Sequence, residues 1–319
     1  MPRFIALFCL LLTSLCHAAT PTVLHRPIDL DTGQGVLHGS LLLPQQDMPP
    51  PVVLIIAGSG PTDRDGNNPA GGRVDNLKRL AQLLANANIA SVRYDKRGVA
   101  ASQPATPDER DLSVERYVAD VVAWGHKLKA DPRFGPLILI GHSEGALIAS
   151  LAAEQAGASA VISLAGSGRP MAEVVREQLA ERLPPAQLAR GSALLDRLEA
   201  GQTSLDVPAP LRQVFRPSVQ PYLITLFRQD PAAAFARLSM PALIVQGRND
   251  VQVDVADAQK LKDAKPDAHL VLIEGMNHML RISPKDMSEQ RESYQNPQLP
   301  LARELGEQIV AFIRQLPRA

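Results

Sequence analysis

The chain has 319 residues, a length suited to one large α/β domain that carries an insertion. Lysine plus arginine and aspartate plus glutamate each total 33, so there is no basic excess to attract nucleic acid and no charge block of the kind that forms an interaction tail; the composition points to a small-molecule partner. With 45% hydrophobic residues and only two cysteines, stability has to come from core burial and not from a disulfide framework.

Residues 1–18 place Arg3 before an apolar stretch from Phe4 to Leu12, followed by small residues with Cys16 and Ala18 set around a cut after Ala18. This pattern predicts a secretory signal and an exported protein, periplasmic or secreted. At roughly nine to twelve residues the apolar stretch is too short to span a bilayer, so no membrane association is expected once it is removed. Removal takes Cys9 and Cys16 and leaves 32 basic against 33 acidic residues, with no thiol for a disulfide or a thiolate zinc site.

The segments "TVLHRPIDL" and "GVLHGSLLLP" predict a hairpin turning through Asp31-Thr32-Gly33. Beyond it, the apolar runs "PVVLIIAG", "IASVRYD", "PLILIGHS", "AVISLAGSG", "PALIVQGRND" and "AHLVLIEGMNH" alternate with helical stretches such as "NLKRLAQLLANAN" and "VERYVADVVAWGHKLKA". Continuous apolar strands separated by helices predict an α/β fold with a mostly parallel sheet buried on both faces, whose reacting groups collect at the carboxyl ends of the strands. Residues 169–240 are far longer than a crossover needs and contain helical pieces broken by prolines, which predicts a helical cap inserted above the strand ends. Leu223, Leu226 and Phe227 in the last piece are candidates for a pocket wall, or for packing the cap onto the sheet.

The stretch "GHSEG" at 141–145 fits the G-x-S-x-G elbow, with the strand "LILI" before it and the helix former "ALIASLAAEQA" after it. Gly141 and Gly145 allow the close approach of helix and strand that such a turn forces. Ser143 is therefore the candidate nucleophile. A serine hydroxyl needs a base, and the base needs a carboxylate to hold its tautomer. Of seven histidines, His17 falls in the signal, His25 and His38 in the hairpin, His126 in a helix, and His269 at the start of a strand. His142 adjoins the serine, but neighbouring side chains on an elbow diverge, so it is expected to pack beneath the turn. His278, in the loop after the last apolar strand, is the candidate base. Asp250, at the end of the preceding strand, is the candidate acid, and the order Ser143, Asp250, His278 is the one this strand arrangement requires. Asp254 and Asp257 are rivals expected instead to complement the start of the next helix.

Acyl transfer also needs two backbone N–H donors for the oxyanion. Glu144, just after the nucleophile, is one; Ser59 is chosen as the other, with Gly60 as its rival, from the turn that leaves the strand at Ala57 and Gly58. The following "PTDRDGNNPAGG" superficially resembles a calcium loop, but one ligand is missing before Gly66, so its Asp and Asn residues are expected to form local turns. No cofactor or metal site is predicted.

The blocks "GSGPTDRDGN", "YDKRGVAAS", "GHSEGA", "GRNDVQV" and "GMNHML", in that order over nearly the whole chain after residue 18, resemble the α/β-hydrolase superfamily, in particular secreted bacterial carboxylesterases and serine aminopeptidase-like (S33-type) hydrolases. The resemblance implies an eight-stranded, mostly parallel sheet with helices on both faces, a helical cap, and Ser143, Asp250 and His278 in triad positions. Many relatives have histidine where this chain has Ala57, which leaves the second oxyanion donor open. The "DKRG" block is expected to brace the site through Asp95 and Arg97. The expected reaction is hydrolysis of a small soluble carboxylic ester. The alternatives are cleavage of a terminal peptide or aryl-amide bond or of a thioester, and a non-catalytic binding protein on the same scaffold. An aminopeptidase needs acids to hold the substrate's amino terminus, and Glu173, Glu177 and Glu181 lie in the cap at helical spacing; such a row is expected to be a solvated face paired with Arg176 or Arg182. Oligomeric state is not encoded in any of these patterns.

Overall fold

A computed structural model describes residues 22–317, so the expected signal at 1–18 lies outside the described residues. The expected hairpin is formed by β1 (Val23–Asp31) and β2 (Val36–Pro44), which pair antiparallel with Val23 opposite Pro44 and Asp31 opposite Val36. The remaining strands are β3 (Val52–Ile56), β4 (Ala90–Tyr94), β5 (Leu137–His142), β6 (Ala160–Leu164), β7 (Ala242–Gly247) and β8 (His269–Ile273). The sheet order is β1-β2-β4-β3-β5-β6-β7-β8, and every pair from β4 to β8 is parallel.

Side chains along β3 alternate between two cores, as the two-residue period of a strand dictates. Val52, Leu54 and Ile56 face helices α2 (Val114–Lys129) and α3 (Glu144–Ala156). Val53 and Ile55 face α1 (Asn76–Asn86) and, near the chain's end, α11 (Arg303–Gln315). Both faces of the sheet are therefore covered, which is why its central strands read as unbroken apolar runs.

The chain passes from β3 outward to β4 and then returns to β5 on the other side of β3. The loops leaving β3 and β5 therefore emerge side by side at the carboxyl edge, where an open sheet of this kind forms its crevice.

Between β6 and β7 the chain forms α4 (Met171–Arg182), α5 (Pro185–Glu199), α6 (Arg212–Phe215), α7 (Gln220–Phe227) and α8 (Pro231–Ala236). Prolines 185, 221 and 231 sit in first turns, where the missing N–H has no intrahelical partner anyway, so they start helices as much as they break them. The insertion holds a small core of its own, including Leu194, Leu195, Leu198, Phe215 and Phe227. Phe227 thus belongs to the inside of the cap and not to a pocket wall, while Leu223 packs between that core and the main one. After β7 come α9 (Val255–Ala264) and, following β8, α10 (Met287–Ser293). Among the described residues no helix is long and apolar enough to cross a membrane.

Candidate active site

The strand β5 runs into α3 through a turn on which Ser143 has φ 55° and ψ −123°, a conformation strained for a residue bearing a Cβ. Two constraints hold it there. The Ser143 N–H donates to the Leu164 carbonyl of β6 at 2.8 Å, and the flanking glycines let backbone segments meet at distances that no side chain permits. A Cβ on Gly141 would lie 2.1 Å from the Gly145 carbonyl oxygen, and one on Gly145 would lie 2.3 Å from that of Ile56. The Ala146 N–H donates to the Ser143 carbonyl at 2.9 Å, and the N–H groups of Glu144 and Gly145 before it form the electropositive end of α3 beside the serine.

The structure brings Asp250 and His278 together. The His278 Nδ1–H donates to Asp250 Oδ2 at 2.8 Å, with both side chains almost fully buried. Asp250 Oδ1 accepts from the Gln252 and Val253 N–H groups at 2.8 and 3.0 Å. Burial is the largest single influence on the Asp250 carboxyl and pushes its pKa up. The adjacent His278 and the two amides outweigh it together and hold the group below the ordinary carboxylate value. Ser143 and His278 line one cavity of about 310 Å³, with Gly58 and Ser59 on its wall.

His142 is buried, as expected beneath the turn, but it has a specific partner. Its Nε2–H donates to the His278 carbonyl at 2.8 Å, and the rings lie 4.9 Å apart. Burial, reinforced by the neighbouring His278, lowers its pKa to about 4, so the neutral ring holds the His278 loop in place. Because this value lies below that of an exposed histidine, near 6.5, the unfolded chain takes up the proton first as pH falls. The stabilisation is complete above about pH 6.5 and is lost progressively toward pH 4. Between pH 7 and pH 5 the wild type is expected to lose about 2 kcal/mol more stability than His142→Gln, which keeps a donor but does not titrate. Urea unfolding of both at the two pH values checks this, and equal losses would remove His142 as the cause.

The loop after β3 is fixed by ion pairs and turn hydrogen bonds. Asp95 accepts from the Arg64 N–H and side chain at 2.8 and 2.7 Å, and Asp65 accepts from Arg93 at 2.7 Å. Asp63 caps the turn by accepting from the N–H groups of Asp65 and Asn67. Among the described residues there is no group of three His, Cys, Asp or Glu side chains placed to hold an ion. Arg97 pairs with the buried Asp120 at 2.7 Å, so the "DKRG" block does brace the neighbourhood, although Asp95 and Arg97 do so through different partners.

The second residue of that block, Lys96, is not singled out by the sequence and reaches the loop that lines the Ser143 cavity. It is 3% exposed, sits 5.3 Å from the Tyr117 ring centroid and donates from Nζ to the Gly58 carbonyl. Burial lowers its pKa and the nearby Glu144 opposes that shift. The Gly58–Ser59 peptide is trans, so its N–H points opposite to its C=O. With the carbonyl anchored on Lys96, the Ser59 N–H is directed away from the lysine.

Two other side chains secure the His278 loop. Asn277 accepts from the Met279 and Arg281 N–H groups at 3.0 and 3.1 Å and donates to Gln290 and Ser293. The buried Arg281 donates to the carbonyls of Ser293, Asn296 and Val74, and burial lowers its pKa to about 10. Of the rival acids, Asp254 caps α9 through the Ala256 N–H at 2.8 Å. Asp257 lies in the first turn of α9, as expected, and has a further task. It accepts from Ser167 Oγ at 2.9 Å, the Gly168 N–H at 3.0 Å and the Arg169 side chain, and so pins the turn where the cap insertion leaves the sheet. In the cap, Glu177 pairs with Arg169, while Arg176 pairs with Asp196 and Glu199, which corrects the expected pairing within the glutamate row.

A strained serine elbow beside a buried histidine and aspartate, at the carboxyl edge of a mostly parallel eight-stranded sheet, defines the α/β-hydrolase class. The sequence model of the family described as serine aminopeptidase, S33, matches residues 70–284, more than half of the chain, and the protein belongs to that family. It is 28% identical over 258 residues to Esterase EstD of Thermotoga maritima, an alignment covering 76% of this chain and 58% of that protein. The chain thus spans under two thirds of the length of the curated relative it matches. Among solved structures it is similar in fold to Est1E from Butyrivibrio proteoclasticus bound to ferulic acid (TM-score 0.61, 17% identity, 91% of this chain and 98% of that one). It is similar in the same way to the Pyrococcus furiosus esterase (TM-score 0.55, 14% identity, 92% of this chain and 91% of that one).

Proposed function

We propose that this protein is a serine hydrolase that cleaves carboxylic esters through an acyl-enzyme on Ser143. The observation that carries the reading is the 2.8 Å His278–Asp250 bond beside a strained Ser143 that opens on the same cavity as His278. Asp250 holds the proton on Nδ1 of His278, which leaves the Nε2 lone pair to take the Ser143 hydroxyl proton as Oγ bonds to the ester carbon. The negative charge that forms on the carbonyl oxygen meets the Glu144 N–H and the Ser59 N–H. His278 then passes its proton to the leaving oxygen as the carbon–oxygen bond breaks. Water repeats the sequence to release the acid and restore Ser143.

The likeness to a Thermotoga esterase supports esters, and so does the cap. Glu173, Glu177 and Glu181 are exposed and line neither cavity at Ser143, so this row offers no carboxylate to a substrate's amino terminus. Assaying p-nitrophenyl esters and aminoacyl p-nitroanilides side by side tests the choice. Esters are expected to be turned over far faster, and preferred turnover of the anilides would replace this reading with the aminopeptidase one.

The amino-terminal pattern supports export, with the protein periplasmic or secreted and beginning near Ala19. Amino-terminal sequencing of the protein purified from its native source should start there. An intact Met1 or Pro2 on cytoplasmic material contradicts it.

A further inference from the structure

Two cavities meet at Ser143, and they differ in size and chemistry. The smaller, about 30 Å³, lies under the cap between Leu147, Met171, Leu226, Pro231 and Val253. Three of its polar neighbours are engaged elsewhere, and a fourth, the buried Glu144, also lines it. Arg169 is held by Asp257 and Glu177, Ser167 Oγ bonds Asp257 and the Arg169 carbonyl, and Gln229 donates to the Thr225 carbonyl at 3.0 Å. What remains for a ligand is a mainly apolar surface, with Glu144 beside Ser143 at one side, around space for about two non-hydrogen atoms, since one water needs roughly 10–15 Å³. Of the three pocket-wall candidates read from the sequence, Leu226 is the one that lines this space.

The larger cavity carries polar, uncharged groups, Thr62, Asn68, Asn76, Gln252 and Tyr294, on a wall that also includes Val74 and Met279. None of its lining residues is Asp, Glu, Lys or Arg. Gln252 donates to the Tyr294 hydroxyl at 2.6 Å. Among the described residues neither the Tyr294 hydroxyl proton nor the Asn76 side-chain N–H groups meet an acceptor, so both are available to a ligand.

The chemistry decides which half of the ester enters which cavity. His278 has to deliver its proton to the leaving oxygen, which must come within roughly 2.6–3.2 Å of it. His278 lines the larger cavity and not the smaller. The alcohol half therefore lies in the larger, polar cavity, and the acyl chain points the other way, under the cap.

Resting on the esterase reading, we propose that the substrates are esters of a two- or three-carbon acid with a neutral, hydroxyl-rich alcohol, a polyol or sugar. The Ser143 Oγ–carbonyl bond forms, the bond to the sugar or polyol oxygen breaks, and that oxygen leaves with the proton from His278. A longer acyl chain collides with Leu226 and its neighbours. An apolar alcohol leaves the Tyr294 and Asn76 donors unpaired, and a site built to hydrogen-bond a hydroxyl discriminates strongly against an analogue lacking one.

The test compares kcat/KM for p-nitrophenyl acetate, butyrate and octanoate, and for a methyl glucoside 6-acetate against cyclohexylmethyl acetate. The expected result is at least a tenfold fall from acetate to octanoate and a preference of about tenfold for the glucoside acetate. Tyr294→Phe should lower the rate on the glucoside acetate by a larger factor than that on p-nitrophenyl acetate, by about three- to tenfold. Leu226→Ala, or Val253→Ala if the first variant folds poorly, should raise the butyrate-to-acetate ratio. Equal rates along the acyl series, or preference for the cyclohexylmethyl ester, with p-nitrophenyl acetate still hydrolysed, would overturn the substrate assignment alone. No turnover of any ester would overturn the esterase reading beneath it.

Discussion

Ser143→Ala is expected to lower kcat/KM on p-nitrophenyl acetate at least about a thousandfold while the fold survives, because in the proposed mechanism the hydroxyl is the atom that forms the acyl-enzyme. The substitution removes a single oxygen from a residue that is only partly buried, and it leaves untouched the N–H bond to Leu164 and the glycine contacts that shape the elbow. A methyl group at φ 55° keeps the strain already present and adds none. Thermal unfolding should therefore stay close to wild type as activity collapses. Activity above roughly one hundredth of wild type would point to another nucleophile.

Lys96→Met is expected to cost about a hundredfold in kcat with KM changed less than about threefold, although Lys96 itself touches no substrate. One peptide plane links the lysine to the oxyanion. The lysine holds the Gly58 carbonyl, and because the Gly58–Ser59 bond is trans that contact fixes the opposite direction for the Ser59 N–H. Methionine has a similar length and no donor, so the carbonyl loses its partner and the plane is free to rotate. A donor that acts only on the developing oxyanion affects kcat and not ground-state binding. The unsatisfied carbonyl should also lower stability by about 1–3 kcal/mol, which denaturant unfolding reads separately. A variant that is less stable but retains kcat within threefold would leave Lys96 as a packing residue and return Gly60 to contention as the second donor.

The parts of the site that were legible in the sequence are those with a local backbone requirement. The elbow demands glycine on both sides of Ser143, and the 2.1 and 2.3 Å approaches of an added Cβ give the physical reason. Asp250 and His278 follow strands whose unbroken apolar runs reflect burial on both sheet faces, so their positions at strand ends could be read. Lys96 could not. It stands between two charged neighbours in "YDKRG", and only the packing of β4 against the β3 loop decides that this ammonium is buried on a carbonyl while Arg97 turns to Asp120. The further task of Asp257 is illegible in the sequence for a related reason. A carboxylate in the first turn of a helix usually complements the dipole, but here the departing chain at Ser167–Arg169 comes within its reach. The cap's wall was illegible in detail because Leu223, Leu226 and Phe227 lie on one short helix that touches three surroundings at once.

The central claim, that Ser143 is an activated nucleophile held by His278 and Asp250, is tested most directly by covalent trapping. The protein is treated with a fluorophosphonate, digested with trypsin and mapped by fragmentation. The reactive residue falls in the peptide Phe134–Arg176, which also contains Ser150, Ser159, Ser163 and Ser167, so the site must be read from fragment ions and not from the peptide mass. One stoichiometric adduct is expected, on Ser143, with labelling slowed by orders of magnitude in His278→Ala. An unlabelled protein, or an adduct on any other residue, would contradict it.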